Sequence, residues 1–72
     1  MTLKEVANKL KELRVSKNFS TRKYAIVFEV PEEYVLFVES GSDDLTVDDV
    51  MWYAHNLGFK TEIKFTEEDN DE

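Results

Sequence analysis

Leu3, Val6, Ala7, Leu10 and Leu13 recur at spacings of three and four, the stripe that an α-helix buries along one face. Thr2-x-x-Glu5 stands at the head of that stripe as a capping box, with the hydroxyl closing the first turn and the carboxylate reaching back to the cap amide. The pattern predicts a first helix running to about Lys17. A second stripe, Val47, Val50, Met51, Ala54 and Leu57, follows Thr46-Val-Asp-Asp49, a shorter-armed version of the same box, and Gly58 is placed to end that helix. After it the period changes from helical to two. Phe59, Thr61, Ile63 and Phe65 alternate with Lys60, Glu62 and Lys64, which predicts a short strand. A lone strand needs a partner, from this chain or from another.

The middle of the chain supports two readings. Tyr24 to Val30 and Tyr34 to Glu39 are rich in β-branched and aromatic residues, and Pro31-Glu32-Glu33 would serve as a turn, so propensity favours a β-hairpin. The helical reading takes Ser20 as the cap of a second helix and Pro31 as the first residue of a third, where its missing amide costs nothing. Glu32 and Glu33 then sit at the positive end of that helix dipole, and Gly41 closes it. The expected fold on this reading is mainly α, about four helices with a short C-terminal extended segment. The alternative is α+β with a central hairpin.

Either way there is more apolar side chain than a small core holds. Tyr34-Val35-Leu36-Phe37-Val38 covers the whole circumference of a helix, as does Tyr24-Ala25-Ile26-Val27-Phe28. Two short helices in a 72-residue chain cannot both be buried all round. Some of Ile26, Val27, Tyr34, Leu36 and Phe37 are therefore expected on the surface, unless these aromatics fill the core or the two faces of a hairpin.

Charge sharpens the picture. Residues 2–23 carry Lys4, Lys9, Lys11, Arg14, Lys17, Arg22 and Lys23 against Glu5 and Glu12 alone. Between Tyr24 and Phe59 there is no Lys or Arg, while Glu29, Glu32, Glu33, Glu39, Asp43, Asp44, Asp48 and Asp49 all fall there. A surface built from that stretch repels phosphate, and an apolar patch ringed by carboxylates marks a protein-binding site. The net charge is -7, of which Glu67, Glu68, Asp69, Asp71 and Glu72 supply five, so residues 66–72 are expected to be a disordered acidic tail after a domain spanning residues 1–65. The absence of Cys excludes disulfides, thiolate metal sites and a cysteine nucleophile. No apolar run approaches the length of a membrane span and the first residues lack a signal-peptide core, so no membrane association and a cytoplasmic location are expected.

Across positions 10–58 the chain reads Leu10-x-x-Leu13-Arg14, Phe19-Ser20, Tyr24-Ala25-x-x-Phe28-x-Val30, Val35-x-x-Val38-Glu39-x-Gly41 and Val47-x-x-Val50-Met51-x-x-Ala54-x-x-Leu57-Gly58. That order resembles the lambda-repressor/Cro type of helix-turn-helix domain. The resemblance implies that Ala25 lies where the second helix crosses the third, that Val35 and Val38 are buried, and that Arg14 and Glu39 form an internal ion pair. Two departures stand out. The family usually has Gly in the tight turn where this chain has Glu29, and a non-glycine residue at positive φ costs about 1 kcal/mol, an incentive to rebuild the turn. The positions from which relatives read bases hold Glu32, Glu33, Tyr34, Leu36 and Phe37. Base reading favours Arg, Lys, Asn and Gln, so this is a poor set for DNA.

Length, fold and acidity are similar to those of phage modulator-of-repressor proteins. The resemblance implies an antirepressor that binds a lysogeny repressor's DNA-binding domain in the bacterial host's cytoplasm, blocking operator access and favouring the lytic cycle. Ile26, Val27, Glu32, Glu33, Tyr34, Leu36 and Phe37 are the expected protein-binding residues, and the free protein is expected to be a monomer or weak dimer without high-affinity DNA binding of its own. The alternative is a Cro-like DNA-binding repressor or antitoxin, a homodimer through the Phe59 to Phe65 strand, with Arg22 and Lys23 on phosphates. Trp52, at an exposed position of the last helix, covers the core's edge or joins a contact surface. The single His55 has no Cys partner, and no nucleophile–base pair, phosphate loop or metal cluster points to an enzyme or a cofactor.

Overall fold

The computed structural model describes residues 2–68. Four helices account for its regular structure: α1 (Leu3–Ser16), α2 (Thr21–Phe28), α3 (Glu32–Glu39) and α4 (Val47–Asn56), with no strand among the described residues. The fold is mainly α, and the central hairpin does not form.

Three of the four helices start where a side chain supplies a cap. Thr2 and Glu5 close a reciprocal capping box on α1, Ser20 accepts from the Lys23 amide at α2, and Thr46 and Asp49 form a second box on α4. The third helix begins after Pro31, which serves as its cap residue in an extended conformation (φ -65°, ψ 146°) and offers no side-chain hydrogen bond. Glu32 and Glu33 in the first turn compensate through the helix dipole. These local signals prevail over the β propensity of residues 24–39 because the helical arrangement buries Tyr24, Ala25, Val35 and Val38 together.

Between α2 and α3 the chain turns through Glu29, which takes the left-handed conformation itself (φ 59°, ψ 47°). The turn is therefore kept rather than rebuilt, and the Val30 amide, bonded to the Ala25 carbonyl at 3.0 Å, fixes it. Gly41 follows α3 at φ 70°, and a Cβ there would stand 2.8 Å from the Lys4 Cα. Only glycine lets the end of α3 lie against the start of α1.

The core joins all four helices through Leu10, Tyr24, Ala25, Val35, Val38, Tyr53, Ala54 and Leu57, with Leu45 from the loop before α4. Tyr24 and Tyr53 stack with ring centroids 4.5 Å apart. Their polar ends are satisfied in place: the Tyr24 hydroxyl donates to the Tyr53 carbonyl at 3.0 Å and accepts from Asn56 Nδ2 at 3.3 Å. No helix among the described residues is long and apolar enough to cross a membrane.

The strand expected over residues 59–65 is not formed. Phe59 packs against the core with its amide on the Ala54 carbonyl, but beyond it residues 60–68 carry no regular structure and Phe65 is almost fully exposed. The reason is topological: a strand needs a neighbouring strand's edge, and four helices offer none. Of the expected acidic tail, residues 66–68 are exposed and irregular, and residues 69–72 lie outside the described residues.

Candidate protein-binding face

The α2–turn–α3 unit carries the residues in question, and helical geometry sorts them. Ala25 points inward and its neighbours Ile26 and Val27 point out, 68% and 49% exposed. On α3, Val35 and Val38 are fully buried while Leu36 between them is 53% exposed. Large aliphatic side chains held in water on adjacent helices are the unresolved remainder of the apolar excess in the sequence.

Tyr34 and Phe37 are shared between this face and the core. Both are half-buried and packed against the core, so neither is the free surface anchor that the sequence suggested. The Tyr34 hydroxyl donates to Asp49 Oδ1 at 2.7 Å, tying α3 to the cap of α4. Burial, and then this bond to a carboxylate, hold the Tyr34 phenol well above the ordinary range, and the same bond with those from Thr46 lowers Asp49. Glu32 is also structural: its carboxylate accepts from the Thr21 hydroxyl at 2.7 Å and joins the starts of α2 and α3. Glu33 is exposed.

The Arg14–Glu39 pair joins α1 to the last residue of α3. Arg14 Nε and Nη2 donate to the two Glu39 oxygens at 2.6 and 3.0 Å, Nη1 donates to the Phe19 carbonyl at 2.7 Å, and Tyr53 donates its hydroxyl to Glu39. Both charged side chains are almost wholly buried. The bidentate carboxylate raises the guanidinium, and burial followed by the bond to Glu39 raises the Tyr53 phenol far above its usual value. The cluster binds α1, α3 and α4 together and is closed to any ligand.

Three residues that the sequence did not assign to a site complete the face. Val30, Pro31, Tyr34 and Trp52 line an open notch of about 280 Å³ between the turn and α4. Trp52 meets Tyr34 edge-on at 5.6 Å and Tyr24 at 6.4 Å, yet 36% of it is exposed. It both covers the core's edge and presents a surface. Its large ring at an exposed helical position was the signal in the sequence, whereas Val30 and Pro31 read there only as turn residues.

Among the described residues the ion pairs are Lys9–Glu12 and Arg14–Glu39, so Glu29, Glu33, Asp43, Asp44 and Asp48 have no cationic partner. Nor does any group of three or more His, Asp or Glu side chains there have a geometry to hold a metal ion. The face thus offers apolar area, uncompensated negative charge on the side of the turn and α3, and the exposed cations Arg22 and Lys23 at the start of α2. Compared with known proteins, the chain matches no family model, no curated protein and no solved structure.

Proposed function

We propose that this protein is an antirepressor: it binds the helix-turn-helix DNA-binding domain of a lysogeny repressor and blocks operator access. The observation that carries the reading is the outward aspect of α2 and α3, where Ile26, Val27 and Leu36 stand in water beside carboxylates that no lysine or arginine neutralises. Such a face is suited to a partner that is itself basic around an apolar patch, as a DNA-binding surface is. The apolar side chains hold the complex, and opposite charge speeds encounter and fixes the register.

The test is competition. A repressor's DNA-binding domain is titrated with this protein in the presence of labelled operator, and complex formation is followed by calorimetry. Operator release with a stoichiometric complex is the expected result, and failure to bind any repressor domain from a related genetic switch overturns it.

A second reading draws on the exposed Arg22 and Lys23 in the first turn of α2, a place from which cations reach phosphates. It makes the protein a DNA-binding repressor or antitoxin acting as a homodimer. Retention on mixed-sequence duplex at about 50 mM salt, lost steeply as salt rises, supports this second reading against the first.

A further inference from the structure

The period-two alternation of residues 59–65 has no strand to serve among the described residues, but the structure shows what this segment lies against. Phe59 packs on the core, and residues 61–63 form one wall of an open groove of about 410 Å³. The opposite walls are the starts of α1 and α4, with Leu3, Val6, Val47 and Val50. Glu62 of the arm itself is the one charged side chain that lines it. The groove is not filled: Val47 and Ile63 remain 55% and 56% exposed. Two residues past Ile63 stands Phe65, 96% exposed, the most exposed large apolar side chain among the described residues.

In an extended segment side chains two apart share a face, so Phe65 is the next residue on the side of Ile63, and Lys64 between them stays in water. The chain from Ile63 to Phe65 spans no more than about 7 Å. A phenylalanine side chain has roughly 150–250 Å² to bury. Docking it costs the ordering of Lys64 and Phe65 alone, since Phe59 and residues 61–63 are already placed. We propose that residues 60–65 are a strap, which Phe65 closes by seating its ring in the groove between α1 and α4. The occupant is this chain's own ring rather than that of a second copy. A tether this short holds it at an effective concentration of about millimolar or more, with which a free copy at about micromolar level does not compete. Closure uses none of Ile26, Val27 and Leu36, so the face on α2 and α3 stays uncovered while the apolar surface of the groove leaves water. The strap works in the same way whatever partner that face takes.

The methyl groups of Leu3, Val6, Val47 and Val50 report closure, because a seated ring shifts their resonances. Methyl spectra of the full chain are compared with those of Phe65→Leu, which keeps an apolar side chain and removes the ring current. The expected result is ring-current shifts at these methyls that vanish in Phe65→Leu and are constant between about 10 µM and about 1 mM. Groove methyls at the same positions in both chains overturn the proposal. Shifts that grow with concentration, together with a dimer in sedimentation, overturn it in favour of exchange with a second copy. Val47→Glu gives an independent check. It changes the exposed first residue of α4, where the helix dipole tolerates an acid, and it puts a carboxylate in the groove. Chymotrypsin cleavage after Phe65 follows the population of the open strap, and is expected to be about tenfold faster in Val47→Glu than in the native chain, with the rest of the domain intact. Equal rates mean that Phe65 is free in both chains, and also overturn the proposal.

Discussion

Carboxylates and aromatic rings meet in two places in this protein, to opposite ends. Around Glu39 they are closed in: a guanidinium, a phenol and a backbone carbonyl complete one another, and among the described residues no buried side-chain polar atom lacks a partner. Around Trp52 they are left open: the indole is 36% exposed, and among the described residues Asp48, one helical turn before it, has no cationic partner. The lesson is that composition does not separate a structural cluster from a binding surface. What separates them is whether the hydrogen bonds and charges are already answered within the chain. A satisfied cluster has nothing left to offer a partner, and an unsatisfied one does.

The largest expected effect comes from opening the closed cluster. Glu39→Ala leaves a buried guanidinium and the Tyr53 hydroxyl without acceptors and is expected to cost about 3–5 kcal/mol, read as a lower urea midpoint at unchanged slope. A loss under 1 kcal/mol would mean that water enters and that the cluster is less distinct from the open face than it looks.

Next comes Gly41→Ala, which places a Cβ against the Lys4 backbone at a positive φ. It is expected to cost about 2–3 kcal/mol by the same urea assay, since neither α1 nor the turn can give way cheaply.

Tyr34 stands between the two regions, and its hydroxyl tests which one it serves. Its phenol and that of Tyr53 are raised above the ordinary value near 10, so the stability they contribute is complete below pH 10 and is lost as pH rises from there towards the folded-state values. Tyr34→Phe is expected to cost about 1 kcal/mol at pH 7 and to flatten part of the alkaline loss of stability. Asp49 works in the other direction. Its lowered value adds stability above the ordinary carboxylate range that disappears as pH falls through the lowered one, and Tyr34→Phe is expected to weaken that acid limb as well. Thermal melts across about pH 2 to 11 check the acid limb and the onset of the alkaline one.

The smallest stability effect, and the most useful one, belongs to the open face. Leu36→Ala and Ile26→Ala are expected to change stability by about 0.5 kcal/mol or less while weakening repressor-domain binding about tenfold. Tyr34→Ala and Phe37→Ala do not serve this purpose, because both side chains pack on the core and their loss mixes folding with binding. If Leu36→Ala unfolds the chain, the face is not a surface and the comparison collapses.

Much of this architecture was legible along the chain. Thr2 with Glu5, Ser20, Thr46 with Asp49, Gly41 and Gly58 mark the ends of helices by chemistry that acts over three or four residues, and the structure puts them to that use. Ile26, Val27 and Leu36 were readable as surplus, since a helix that is apolar all round cannot be buried all round in so short a chain. What stayed hidden was which members of the surplus turn outward. Tyr34 and Phe37 share the composition of Leu36, and only the approach of α4 draws the first into a hydrogen bond with Asp49. The alternation from Phe59 to Phe65 was equally plain, but a strand is a relation between two segments, and no second one is present among the described residues.

The first and last helices, the helix caps and the polarity of charge along the chain were determined by the sequence alone, because helix capping, apolar period and net charge depend on near neighbours or on simple addition. The choice of helix over hairpin in residues 24–39, the closure of Arg14, Glu39 and Tyr53 into one cluster, and the opening of a notch between Pro31 and Trp52 were decided by tertiary structure. Each joins residues on different elements, 14 to 25 positions apart in the hydrogen-bonded cluster. Whether such groups meet, and whether anything remains unsatisfied when they do, depends on how the helices pack rather than on any residue's own preference.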